Sequence, residues 1–197
     1  LGIPAEPLFR SLVMTAYTYS NDIEQIDGTV RIRVKFGMVA PSKRVDIKAD
    51  AVWTVNRAGE IDLKCDVNNK HPLYIPRFGI ETAMDTSYDD VQYFGYGPTE
   101  SYIDKHLACR IGRYHAKVAD LYNDYIRPQE NGNHHATEWA AVRNASGEGI
   151  VLCSEQPFEF QALPYTAEEM EAAEHSYKLY KPAVTAVRFD YHVSGMG

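Results

Sequence analysis

From Gly28 to Phe36 the chain runs Gly-Thr-Val-Arg-Ile-Arg-Val-Lys-Phe, with an apolar residue at every second position. Successive side chains of an extended strand point to opposite faces. Val30, Ile32, Val34 and Phe36 therefore share one side, and Thr29, Arg31, Arg33 and Lys35 share the other. A helix could not gather the four apolar residues on one face. The run commits the region to a half-buried strand of an antiparallel sheet.

The same period recurs along the chain. Residues 45–55 put Val45, Ile47, Ala49, Ala51 and Trp53 on one face, Asn56-Arg57-Ala58-Gly59 supplies turn chemistry, and residues 61–67 complete a hairpin. Residues 76–84 and 91–96 predict two further strands joined by a polar loop over 85–90. Residues 97–132 lack clean periodicity and are rich in turn residues and tyrosines, which predicts long ordered loops packed over the sheets. Strands are expected again at 138–143, 149–153, 158–162 and 185–193. One helix stands out at 166–174, where Thr166 as N-cap and Glu169 three residues on form a capping box. These elements predict an all-β antiparallel sandwich, a single domain over residues 1–197.

Charge and composition narrow the function classes. Twenty Lys and Arg against 27 Asp and Glu give a net charge of −7, which disfavours a nucleic-acid partner. No stretch reaches the roughly 20 apolar residues that cross a bilayer, so no membrane partner is expected. The chain reads as soluble, cytoplasmic or periplasmic, with the compartment left open because Leu1-Gly2-Ile3-Pro4 looks like an internal starting point. Cys65, Cys109 and Cys153 are widely spaced and odd in number, suggesting three buried thiols rather than disulfides or a metal knuckle. Adjacent strand residues face opposite ways, so His134 and His135 could hardly ligate one metal together, and no metal site is expected.

None of the Gly-rich phosphate loop, the nucleophile elbow, His-Glu-x-x-His or Cys-x-x-Cys is present. Four other runs carry the information. They are Pro76-Arg77-Phe78-Gly79-Ile80 with Tyr93-Phe94-Gly95-Tyr96-Gly97-Pro98-Thr99-Glu100-Ser101-Tyr102-Ile103-Asp104-Lys105; Tyr125-Ile126-Arg127-Pro128-Gln129-Glu130-Asn131-Gly132-Asn133; Pro157-Phe158-Glu159-Phe160-Gln161-Ala162-Leu163-Pro164-Tyr165-Thr166; and Phe189-Asp190-Tyr191-His192-Val193-Ser194-Gly195-Met196-Gly197. In order and spacing this set resembles the C-terminal domain of the glycoside hydrolase family 2 β-galactosidases. The family commonly carries arginine where this chain has Lys105 and His134.

The resemblance implies an antiparallel β-supersandwich related in shape to galactose mutarotases. It also implies a longer parent chain that removes terminal β-linked galactose with retention, through two glutamates on a separate (β/α)₈ barrel. This chain has neither the length nor the pattern for such a barrel, so no catalytic residue is expected within it. Any Mg or Na ions of the parent would be bound by other domains, and no cofactor is expected here. The parent's other domains and a galactoside are the implied partners, with a homo-oligomeric parent. The first segment of the family's domain, Asn-Phe-Trp-Arg-x-Pro-like, is not found, and a sugar-stacking tryptophan follows the family's final Gly-x-Gly; both point to an excised domain that binds galactose or lactose with a Kd of roughly 1 mM or worse.

Expected roles divide accordingly. Glu130, Asn131, His134 and Trp139 are the candidate substrate-facing residues. Arg77, Gly97, Pro98, Glu100, Tyr102, Asp104, Arg127, Pro128, Gly132, Asp190, Gly195 and Gly197 are read as structural members of the motifs. Glu100 and Glu130 are expected to brace loops by accepting backbone N–H bonds or by pairing with Arg77, Arg110, Arg113 or Arg127, and Gly95, Gly97 and Gly132 to serve backbone conformations closed to other residues. Two other classes compete: a free-standing aldose 1-epimerase, for which His106, His115, His134 and His175 with Glu130 are the acid/base candidates, and an autonomous carbohydrate-binding module.

Overall fold

The structure is a computed structural model that describes residues 15–39, 47–69 and 77–193. The predicted strand residues Val45 and Pro76 and the motif glycines Gly195 and Gly197 lie outside these. The chain divides into two compact units, Leu1–Tyr74 and Ile75–Gly197. Both are built on antiparallel sheets, so the chain is all-β as its alternation requires.

The first unit is a meander of β1 (Thr15–Ile26), β2 (Thr29–Val39), β3 (Ile47–Val55) and β4 (Ile61–Asn69), hydrogen-bonded in that order. Asp27 and Gly28 join β1 to β2 with φ of 50° and 79°. Two successive left-handed residues twist the turn in the sense the strands require. The register sets Ile32 beside Trp53, Val34 beside Ala51 and Phe36 beside Ala49, then Trp53 beside Leu63 and Ala51 beside Cys65. The opposite face carries Lys35 at 3.4 Å from Asp50 and Arg31 at 4.0 Å from Glu24. Such exposed pairs contribute no more than about 1 kcal/mol each. β1 was not anticipated, because a register shift between Thr18 and Ser20 breaks its alternation and its residues are mostly exposed.

The second unit is a six-stranded sheet in the order β5-β10-β9-β8-β6-β7, from β5 (Arg77–Met84), β6 (Asp90–Gly97), β7 (Arg110–Lys117), β8 (His134–Arg143), β9 (Gly149–Leu163) and β10 (Thr185–Val193). Val91 and Tyr93 of β6, Ala140 and Val142 of β8, Phe158, Phe160, Ala162 and Leu163 of β9 and Val187 of β10 form one buried cluster. Two short helices, α1 (Val118–Leu121) and α2 (Ala167–Ala172), close over it with Val118, Leu121 and Met170. The predicted helix is realised as α2, and both bonds of its capping box are present, Glu169 N–H to Thr166 Oγ1 and Thr166 N–H to the Glu169 carboxylate.

Three expectations are corrected. Residues 97–132 are not all loop. Strand β7 pairs with β6 along Arg110–Lys117, and its inward face, Gly112, Tyr114 and Ala116, is too small and weakly apolar to register as a period-two stripe. The expected helix near 166–174 is present and is the longest among the described residues, accompanied only by the single turn of α1 and a 3₁₀ turn at Ser176–Lys178, both too short for a 3.6-residue period to show. Strands 149–153 and 158–162 are one strand, β9, whose polar middle stays in the sheet while β8 shifts register beside it. Only Cys109 of the three thiols is buried; Cys65 is half-buried and Cys153 exposed on β9.

Candidate functional site

The first polar constellation joins the start of the second unit to its last strand. Arg77, on the edge strand β5, donates from Nε and Nη2 to Asp190 Oδ2 at 2.9 and 2.6 Å, from Nη1 to Glu130 Oε2 at 2.8 Å and from Nη2 to Gln161 Oε1 at 2.6 Å. Gln161 Oε1 also accepts from Arg188 Nη1 at 3.0 Å, and Arg188 Nε pairs with the Glu81 carboxylate. Arg188 is 1% exposed and Asp190 2%. Burial holds the Asp190 carboxyl above the usual range against the pull of Arg77. Burial alone would lower the Arg77 pKa, but Glu130 and Asp190 outweigh it and raise it. The arrangement ties β5, β9, β10 and the Glu130 loop into one charge-paired layer.

The second constellation is built around Glu100. Its carboxylate pairs with Lys105 and accepts from Tyr125 Oη at 2.7 Å, Asn123 Nδ2 at 3.0 Å and the Gly132 backbone N–H at 2.9 Å. Burial pushes the Glu100 pKa up, and these bonds override it and hold the carboxyl below its ordinary value. Lys105 thus supplies the cation, from a tight turn in which Tyr102 and Lys105 exchange backbone hydrogen bonds and Asp104 stands exposed at the tip. Pro128 is buried and Arg127 exposed in the loop that carries Glu130. Gly132 has φ of 69°, the left-handed region that favours glycine. At Gly97 the constraint is space rather than conformation, since a Cβ there would lie 2.3 Å from Tyr93 Oη. The peptide bond from Gly97 to Pro98 is cis.

The loop after Glu130 separates its residues sharply. Asn131 is fully buried, its Oδ1 accepting from Asn123 N–H at 3.0 Å and its Nδ2 donating to Gln129 O at 2.9 Å. His134 is 1% exposed and stacks on Tyr93 with ring centroids 4.1 Å apart. Burial depresses its pKa to about 4, so the ring is neutral. His135 points the other way. Its Nδ1 lies 2.7 Å from Glu159 Oε1, and its ring stacks on Tyr96 and His106. Ala136 follows at φ of 48°, where β8 shifts register against β9. A bulge of this kind re-aims side chains. Trp139, half-buried on β8, carries the Arg113 guanidinium over its ring at 5.2 Å.

The structure therefore brings Arg77, Glu130 and Asp190 together, and separately Glu100 and Gly132, while Asn131 and His134 are enclosed and Trp139 keeps some open surface. Glu100, Glu130, Glu159 and Asp190 each have their partners within the unit, which suits bracing better than proton transfer to a substrate. Gln161, Arg188, Glu81 and the Glu159 to His135 pair were not foreseen. Gln161 and Arg188 stand among alternating polar and apolar residues of their strands, so the sequence carried no signal that they are buried. Among the described residues no group of three or more His, Cys, Asp or Glu converges as a ready metal cage.

Comparison with known proteins agrees with the motifs. The β-galactosidase small-chain family matches residues 8–197. A β-galactosidase of Actinobacillus pleuropneumoniae is 33% identical over 185 residues, 92% of this chain and 18% of that protein. One from Halalkalibacterium halodurans is 34% identical over 181 residues, 89% of this chain and 18% of the relative. One from Streptococcus thermophilus is 31% identical over 154 residues, 77% of this chain and 15% of the relative. The chain thus spans less than a fifth of the length of these relatives. A match running through nearly all of both units places the chain in the β-galactosidase small-chain family.

Proposed function

We propose that the chain is the C-terminal accessory domain of a retaining β-galactosidase, shaping the substrate end of an active site whose two catalytic glutamates lie on a (β/α)₈ barrel elsewhere in the parent. The observation that carries this is the family match over residues 8–197, together with relatives named β-galactosidase of which the matched part is under a fifth. The internal pairing of Glu100, Glu130 and Asp190 supports a bracing role for the motif loops. Trp139 and Glu130 retain some surface for a sugar or a neighbouring domain. Asn131 and His134, being enclosed, act by holding the loop in place.

The test is hydrolysis of a chromogenic galactoside by the parent gene product with and without this segment, and by the segment alone. Activity that requires the segment but is absent from it alone agrees with the reading. Turnover by the segment alone overturns it. Loss of optical rotation from fresh α-galactose would instead establish the epimerase class, and micromolar binding to galactose or lactose the binding-module class.

A further inference from the structure

We propose that Ile126, His175 and Tyr177 form the surface by which this domain seats on the remainder of its parent chain, the occupant being an apolar protein surface of that remainder. The proposal rests on the accessory-domain reading and assigns the contact which that reading requires.

Two segments of the second unit build the surface. Ile126 stands in the loop between α1 and β8, and Tyr177 in the 3₁₀ turn that follows α2. The Ser176 backbone N–H donates to Ile126 O at 3.0 Å, which holds the two segments side by side. His175 and Tyr177 stack, with ring centroids 5.1 Å apart and 16° between the planes. Yet Ile126 is 85% exposed and Tyr177 79%, and His175 is exposed as well. Apolar side chains scattered singly over a surface are ordinary. An aliphatic side chain and two rings gathered from segments far apart in the sequence are not, and they leave a large apolar area in water unless something covers it.

The backbone beneath these side chains is held firmly. In the loop, Tyr125 Oη and Asn123 Nδ2 donate to the Glu100 carboxylate at 2.7 and 3.0 Å, and Pro128 is buried. In the turn, Lys178 N–H donates to His175 O at 2.9 Å and Leu179 N–H to Ser176 O at 3.1 Å. Side chains presented on a preformed backbone lose less freedom when they are covered, so association is favoured. The neighbouring charges are already matched: Lys178 pairs with Glu174, and Arg127 also acts on Glu174. An apolar centre containing tyrosine beside a charged rim is the make-up of a protein contact.

The occupant follows from length. More than four fifths of each of the three relatives described above lies outside the part that this chain matches, and a small chain of β-galactosidase has the rest of that enzyme as its partner.

The experiment is thiol labelling of the full parent gene product with a maleimide, each modified peptide being read by mass spectrometry so that native thiols do not interfere. Ile126→Cys and Tyr177→Cys are compared with Ala145→Cys, in the exposed turn between β8 and β9. Labelling at 126 and 177 is expected to be at least about tenfold slower than at 145, because reaction waits for a local opening, and the three rates should converge in concentrated urea. Nitration by tetranitromethane checks the point without a substitution: Tyr177 of the unaltered parent should resist conditions that modify it in a peptide of residues 173–181. Rates at 126 and 177 equal to that at 145, in a parent whose galactoside hydrolysis requires this segment, overturn the surface and leave the accessory-domain reading standing. Protection that is lost when the parent is diluted identifies a second copy as the cover and also overturns the proposal. Hydrolysis that does not need the segment overturns the accessory-domain reading itself, and the proposal with it.

Discussion

Replacing Arg77 with methionine tests whether the buried charge layer holds the second unit together. Arg77 gives two hydrogen bonds to Asp190, one to Glu130 and one to Gln161. At about 1.5–3 kcal/mol for a bond to a charged group, the three carboxylate bonds sum to roughly 4.5–9 kcal/mol. That sum is too high. Glu130, 10% exposed, gains some water, and Arg188 still acts on Asp190. Asp190, 3% exposed at the side chain, has no such relief. Breaking a buried pair from one side costs about 3–5 kcal/mol, and the lower half of that range fits here.

The cost should depend on pH. The Asp190 pKa is already raised by burial, and losing Arg77 removes its hydrogen bond and its charge, leaving Arg188 alone to pull it down. A carboxyl with a raised native pKa binds more protons folded than unfolded, so stability is greatest below its unfolded pKa and falls as pH rises through the native one. Arg77→Met should therefore lose about 3–4 kcal/mol near pH 7.5 and distinctly less near pH 5. Urea unfolding in a Trp53→Phe background leaves Trp139 as the single indole, reporting on the second unit. A loss below about 1 kcal/mol at pH 7.5, or one equal at both pH values, refutes the reasoning.

Other expectations follow from single sites. His134→Phe should flatten the acid side of the stability curve between pH 6.5 and about 4, because the native ring resists protonation while the unfolded one accepts it; an unchanged slope in acid titration followed by circular dichroism counts against a buried neutral His134. Ala136→Gly should stabilise by about 1 kcal/mol in urea unfolding, since φ of 48° is costly for alanine; destabilisation would mean that the Ala136 methyl packs usefully. Thr166→Ala removes the cap of α2 and should cost about 1 kcal/mol, whereas a neutral result would show that Met170 packing alone fixes the helix. Glu100→Gln should loosen the loop around Tyr125 and Gly132, read as faster amide exchange at Gly132, with unaltered exchange ruling out bracing by that bond.

The parts of the fold legible in the sequence are those where one physical signal is strong and local. Val30 to Phe36 alternates without a break, and Thr166 with Glu169 states a helix start within four residues. Strand β7 was hidden because its inward residues, Gly112 and Ala116, contribute little hydrophobicity. β1 was hidden because its bulge resets the period. The pairing of Glu130 with Arg77 was within reach, since both stand in recognisable motifs. The meeting of His106 with His135 was not, because it depends on a bulge at Ala136 and on a turn closed by Tyr102 and Lys105, neither of which has a periodic signature. Arg188 reads as an outward residue in an alternating strand, yet it is buried, because both faces of β10 are covered where it meets β5 and β9.

The place of β10 between β5 and β9 also sets an order on synthesis. β6, β7, β8 and β9 can pair among themselves before β10 is made, but among the described strands β5 is joined to the sheet through β10 alone, across 113 residues between Arg77 and Asp190. A ribosome adding about 5–20 residues per second takes roughly 5–20 s to pass from the end of β5 to the start of β10. For that interval β5 carries unpaired backbone on both sides and Arg77 has Glu130 but not Asp190 to meet. Nascent chains halted before Thr185 should accordingly hold a four-stranded sheet with a protease-sensitive Arg77–Met84 segment, and the arrival of the tenth strand should protect both at once.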